Sequence, residues 1–124
     1  PETGNYYYNE NLEFKFKISN ITPDFKPSKI ADVITLDAAK IHFPLTIRHL
    51  KTADRFVPFG MNGSKLLSDF LTDNKLTLFD KQKQLVIEDA KKNIIWAVGI
   101  RTDNRFRITC ESKRCLTINM CKHD

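Results

Sequence analysis

Gly60-Met61-Asn62-Gly63-Ser64-Lys65 is the stretch of this sequence that comes nearest to a phosphate-holding loop. Its glycines let backbone N–H groups approach an anion. Ser64 can cap a helix starting at Lys65, where free amides and the helix dipole favour negative charge. It is not the G-x-x-x-x-G-K-[ST] loop that cradles nucleotide phosphates, and four glycines in all leave little material for one elsewhere. On local pattern alone, a tight turn followed by an N-cap accounts for these residues better than a ligand does.

Other chemistry closes less well. A nucleophile needs an activating base, and the histidines are His42, His49 and the near-terminal His123. No serine sits in a G-x-S-x-G elbow. Asp54 with His49 could form an acid–base pair, but a spacing of five in a loop constrains nothing. Cys110, Cys115, Cys121 and His123 could supply four zinc ligands, yet C-x4-C and C-x5-C-x-H lack the usual paired knuckle. Three cysteines also match no disulfide framework, so reduced thiols are the simpler expectation. The chain is therefore expected to hold no catalytic centre, metal or cofactor of its own.

The basic residues are richer. Arg48, Lys51, Arg55, Lys65, Lys75, Arg101, Arg105, Arg107, Lys113 and Arg114 bracket several aromatics and strand ends. Arginine suits phosphate because its planar fork donates two parallel hydrogen bonds. A solvated sheet face explains the same residues from composition alone.

These side chains need elements to hold them. Leu12, Phe14, Phe16 and Ile18 alternate with Glu13, Lys15 and Lys17, the period of a strand with one face buried. Residues 20–28 carry Pro23 and Pro27 and read as a surface connection, before apolar strands at 33–36 and 45–48. Residues 51–63 read as a loop. Leu66, Leu67, Phe70 and Leu71 repeat at helical spacing after Ser64, and a second short helix fits 76–82. Strands follow at 85–87, 94–100, 106–109 and 115–118. The run 94–100 is almost wholly apolar and is expected at the centre of a sheet. Along 106–109, alternation would aim Arg107 away from the face holding Phe106 and Ile108. The expected architecture is α+β: mainly antiparallel β structure, sandwich-like, with one or two helices inserted midway.

Length and charge bound the rest. At 124 residues the chain suits one domain, and 41% hydrophobic with 28% charged residues suits a globular core. No apolar run approaches the roughly 18 residues that span a bilayer, so a soluble, cytoplasmic protein is expected. The chain opens on Pro1, which suggests a fragment or a processed product. Residues 1–44 carry five Lys or Arg against six Asp or Glu, while residues 45–124 carry fifteen against nine. Such asymmetry is compatible with a polyanionic partner.

Four segments in order carry a resemblance. Phe43-Pro44-Leu45-Thr46-Ile47-Arg48 leads into Ala53-Asp54-Arg55-Phe56-Val57-Pro58-Phe59-Gly60-Met61-Asn62-Gly63-Ser64-Lys65-Leu66, and Ser68-Asp69-Phe70-Leu71-Thr72-Asp73-Asn74-Lys75 follows. Ile95-Trp96-Ala97-Val98-Gly99-Ile100-Arg101 comes next, then Asp103-Asn104-Arg105-Phe106-Arg107-Ile108-Thr109 with Ser112-Lys113-Arg114. Together they resemble the C-terminal domain of tRNA(Ile)-lysidine synthetase, with its G-D-R-F-x-P-x-G-M-x-G-S-K-K loop, I-V-W-V-x-G-x-R strand and D-x-R-F-K-V-T close. Ala53 stands in place of a glycine, Leu66 in place of a second lysine and Thr102 in place of an aliphatic residue. Leu66 puts one phosphate contact in doubt, and Ala53 suggests that its turn does not need positive φ.

The resemblance implies a division of the chain: residues 1–35 as a linker remnant or first strand, and residues 36–124 as a tRNA-binding domain. It implies a partner, the acceptor stem of tRNA(Ile), and a catalytic N-terminal domain in the same chain. That domain would take ATP with Mg and lysine, adenylate the wobble cytidine and convert it to lysidine. Its S-G-G-x-D-S loop does not occur here. Arg48, Arg55, Gly63, Ser64, Lys65, Arg101, Arg105 and Arg107 then become the expected RNA contacts, with Asp54 and Asp103 orienting neighbouring arginines or capping turns. The competing expectation is an interdomain scaffold in which Phe56, Phe59 and Met61 dock on the catalytic body and the basic residues only solubilise.

Overall fold

The computed structural model describes residues 4–9, 12–22 and 33–122. Most of the proline-bearing connection read at 20–28, and His123, lie outside them. The chain folds as two compact units, one made of Pro1–Phe43 with Phe106–Asp124 and the other of Pro44–Arg105. All strand pairing is antiparallel among the described residues, and the class is α+β as expected.

The first unit is a four-stranded sheet ordered β1-β2-β10-β3, from β1 (Gly4–Asn9), β2 (Leu12–Asn20), β3 (Val33–Asp37) and β10 (Arg114–Lys122). β10 pairs with both β2 and β3, setting Phe14 opposite Met120, and Ile118 between Phe16 and Ile34. Leu116 likewise lies between Ile18 and Leu36. These rows share one face because side chains alternate along each strand. Phe14, Leu36, Leu116 and Ile118 are fully buried, while Lys15 and Lys17 on the other face are exposed. Each such buried side chain contributes roughly 1.5–3 kcal/mol over leaving it in water.

The second unit carries the sheet β4-β7-β8-β9, from β4 (Thr46–His49), β7 (Leu85–Glu88), β8 (Ile94–Ala97) and β9 (Arg101–Thr102). A two-stranded hairpin, β5 (Arg55–Phe56) with β6 (Lys65–Leu66), precedes the helices α1 (Leu67–Asp73) and α2 (Leu78–Lys83). Every residue of β7 and β8 is buried, in keeping with their inner positions. Phe56, Leu67, Phe70, Leu71, Val86, Ile94 and Ala97 form one packed cluster. Leu67, Phe70 and Leu71 reach it together because i, i+3 and i+4 share a helix face. Helix α1 stops in an αL cap: Leu76 N–H donates to Leu71 O at 3.0 Å and Lys75 N–H to Thr72 O at 2.9 Å, with Lys75 at φ 66°. Leu76 then folds onto the cluster.

Four expectations change, the first being that residues 51–63 are not all loop, because Arg55–Phe56 form β5. The helix does not begin at Lys65 and Ser64 does not cap it. Lys65 and Leu66 pair with β5 instead, Leu67 N–H donates to Asp54 O at 2.8 Å, and the capping position falls on Leu66, which offers no side-chain acceptor. The run at 94–100 ends as a strand at Ala97, because the chain turns through Gly99 at φ +77°, a conformation that glycine adopts without a Cβ penalty. No strand forms at 106–109. Residues Asn104–Phe106 make a 3₁₀ turn instead, since the Asp103 carboxylate accepts the Arg105 N–H at 2.7 Å and so competes with any ladder.

Candidate nucleic-acid interface

The loop at 57–64 joins β5 to β6, and its backbone is tied down by two side chains from the strand end opposite. Asp103, fully buried, accepts Val57 N–H at 2.9 Å. Asn104 accepts Gly60 N–H at 3.2 Å through its side-chain oxygen and donates from Nδ2 to Met61 O at 3.0 Å. Backbone bonds complete the attachment: Phe59 N–H to Thr102 O at 2.9 Å, and Asn104 N–H to Val57 O at 2.6 Å. Gly60 holds φ +88°, which closes the turn, whereas Ala53 is not among the residues with positive φ. This docking has a sequence cause: Asp and Asn present short acceptors to nearby amides that have no ladder partner.

The basic residues divide by what their head groups touch. Arg48 is an internal strut. Its Nη1 and Nη2 donate to Asp54 Oδ2 and Oδ1 at 2.9 Å each, and Nη2 also reaches Glu88 Oε2 at 3.2 Å. Only 18% of its side chain is exposed. Hydrogen bonding to Asp54, above all, pushes its pKa up, outweighing the opposing effect of burial. Burial alone would raise the Asp54 carboxyl, but hydrogen bonds from Arg48 and from Lys51 N–H hold it below its ordinary value. Asp54 thus orients an arginine and ties a turn, as expected of it.

Arg105 is braced by its neighbour Asp103. Its Nε and Nη2 donate to Asp103 at 3.0 and 2.8 Å, and the hydrogen bond to Asp103 raises its pKa, while the residue itself is exposed. Asp103 too plays the orienting part expected of it. Arg55 is exposed, with Nε donating to Ser64 Oγ at 3.0 Å and Nη2 to Ser64 O at 3.3 Å, which fixes the closing turn of the hairpin. Lys65 and Arg101 converge on one ring: Lys65 Nζ lies 5.9 Å and the Arg101 guanidinium carbon 5.1 Å from the centroid of Phe70. Lys65 also pairs with Asp73. Phe70 is anchored edge-on to Phe56 at 5.3 Å, so the ring that gathers the two cations belongs to the core.

Of the expected contacts, the second unit thus brings Arg55, Gly63, Ser64, Lys65, Arg101 and Arg105 onto the hairpin and its supports. Arg107 is exposed and belongs to the first unit. Phe56, expected to dock outward, is buried at 1% and packs in its own core, whereas Phe59 and Met61 stay exposed. Glu88 and Asn104 carry parts that the sequence reading did not assign. Glu88 reaches Arg48 only through the β4–β7 register. Asn104 followed an aspartate in a turn-forming pair, a signal that was available. Among the described residues no group of three or more His, Cys, Asp or Glu could hold a metal ion. Cys110 is exposed, Cys121 half-buried and Cys115 buried, its thiol pushed up by burial.

No protein-family model matches the chain. Curated relatives do: it is 42% identical over 119 residues to the tRNA(Ile)-lysidine synthase of Parabacteroides distasonis, across 96% of this chain and 26% of that protein. The same enzyme of Bacteroides thetaiotaomicron is 40% identical over 95 residues, across 77% of this chain and 22% of that protein. The chain therefore spans about a quarter of the length of the curated relatives it matches. Among solved structures, a TilS C-terminal domain superposes with a TM-score of 0.75 at 19% identity, over 92% of this chain and 86% of that one. Sequence likeness over nearly the whole chain and this shared fold agree: the chain belongs to the tRNA(Ile)-lysidine synthase family and corresponds to its C-terminal domain.

Proposed function

We propose that this chain holds tRNA(Ile) by its acceptor stem on behalf of a lysidine synthase whose catalytic domain, elsewhere in the longer protein, converts the wobble cytidine to lysidine with ATP, Mg and lysine in the cytoplasm. The observation that carries this reading is the convergence of Lys65 and Arg101 over the Phe70 ring, beside a hairpin whose exposed Arg55 is locked to Ser64. Cations held on a packed element lose little freedom when they meet phosphate. A paired stem offers mainly phosphates and 2′-hydroxyls, which arginine, lysine and the Gly63–Ser64 backbone can meet. Arg105 belongs to this set, braced by Asp103. Arg48 does not, because its fork is already filled by two carboxylates.

A second reading rests on exposed apolar residues. Phe59 and Met61, and on α2 Leu78 (73% exposed) and Phe79 (61%), could dock on the rest of the synthase, leaving the basic residues as solubilising charge. Titration with tRNA(Ile) and with an acceptor-stem hairpin separates the two. Arg55→Glu and Arg101→Glu should each weaken binding of both RNAs roughly tenfold, the loss expected for one charge-assisted contact, with the fold retained in the far-UV circular dichroism spectrum. If the unsubstituted chain binds neither RNA at low salt, the scaffold reading replaces this one.

A further inference from the structure

The loop at 57–64 is well fastened, yet it leaves its largest apolar side chains in water. Phe59 is 52% exposed and Met61 38%. The backbone at Phe59, Gly60 and Met61 is bonded to Thr102 and Asn104, and Met61 N–H also donates to Pro58 O at 2.9 Å. A ring on a fastened backbone has already lost much of the freedom that binding would cost, so it is preorganised for a ligand. The strip that fastens it, 102–104, is bracketed in sequence by two exposed arginines, Arg101, whose guanidinium lies over Phe70, and Arg105, which is bonded to Asp103. Exposed Arg55, Arg101 and Arg105 give this unit cations that suit phosphate, and an exposed ring suits the face of a base.

We propose that Phe59 is a stacking platform for an unpaired nucleobase, so that this surface takes the single-stranded 3′ end of the acceptor stem as well as its paired part. The proposal rests on the RNA reading above. Within a duplex the π-faces of the bases are covered by their neighbours, and an exposed ring gains nothing from them. An unpaired base has a face to offer, and stacking on it is indifferent to sequence. Arg101 and Arg105, exposed on the same unit, supply cations for the phosphates of that tail.

The test titrates the 124-residue chain with two acceptor-stem hairpins that differ only in an unpaired 3′ tail carrying 2-aminopurine. The tail should tighten binding roughly 5- to 150-fold, the range for one base–aromatic stack, and the fluorescence of the 2-aminopurine should be quenched on binding. Phe59→Ala should abolish the gain and the quenching while leaving the blunt hairpin unaffected, and Phe59→Trp should keep both. A tail that adds nothing, or a Phe59→Ala variant that retains the gain, overturns the platform while duplex binding stands; Phe59 and Met61 then belong to a protein contact. Failure of the unsubstituted chain to bind either hairpin overturns the RNA reading and the platform with it.

Discussion

At the scale of residues, the arginines of the second unit differ less in position than in the carboxylates around them. Arg48 neutralises Asp54 and Glu88 in a half-buried cluster, and removing it would leave two carboxylates short of water and of a cation. Arg48→Ala should therefore cost about 2–4 kcal/mol, read as a lower urea midpoint at constant slope, with the upper part of that range set by fully buried pairs. The same cluster predicts an acid response. Arg48 stays protonated throughout, and the Asp54 carboxyl titrates below its unfolded value. Its contribution is complete above about pH 4 and is lost as the pH falls through the lower folded-state value. The melting-temperature gap between the unsubstituted chain and Asp54→Asn should thus be constant near neutral pH and narrow below about pH 4. A gap that stays constant down to about pH 2 would mean that the pair does not stabilise the folded unit. Arg55, by contrast, is bonded to a serine, so its charge stays available to a ligand.

At the scale of elements, the hairpin is where local propensity and tertiary context part. Ser64 before an apolar helical repeat is a sound capping signal, yet the two residues after it bond across to Arg55 and Phe56 and the helix waits until Leu67. The cap that does form is at Thr77 of α2. Its hydroxyl accepts Asp80 N–H at 3.1 Å and the Asp80 carboxylate accepts Thr77 N–H at 3.0 Å. Helix α2 buries none of its residues, so this capping box must supply much of what keeps it helical. Thr77→Ala should cost about 1 kcal/mol locally, seen as faster amide hydrogen exchange across Leu78–Lys83 with little change in global melting.

At the scale of the whole molecule, charge is shared unequally between the two units. Pro44–Arg105 holds eleven Lys or Arg against seven Asp or Glu, a net +4, while the other unit holds nine against eight. If the chain holds RNA as proposed, the second unit is the better candidate surface, and with about four phosphate contacts the logarithm of affinity should fall with the logarithm of salt at a slope of about −3 to −4. Arg55→Glu should flatten that slope by about 1, and Arg107→Glu in the other unit should leave it nearly unchanged. Equal flattening by both substitutions would spread the contact surface beyond the second unit.

Much of this protein was legible before any coordinates. The alternation along Leu12–Asn20 and the apolar runs at β7 and β8 set the strands, because period and burial follow directly from side-chain type. The loop and its basic flanks were legible from residue types and order, and the orienting aspartates followed from the family resemblance. What tertiary structure alone decided was which charges remain available. Arg48 and Arg101 look alike in sequence, each at a strand, but one is placed by the β4–β7 register beside Glu88 and the other over the ring of Phe70. Contacts between residues tens of positions apart depend on pairing and packing, and no local pattern encodes which carboxylate will reach which cation.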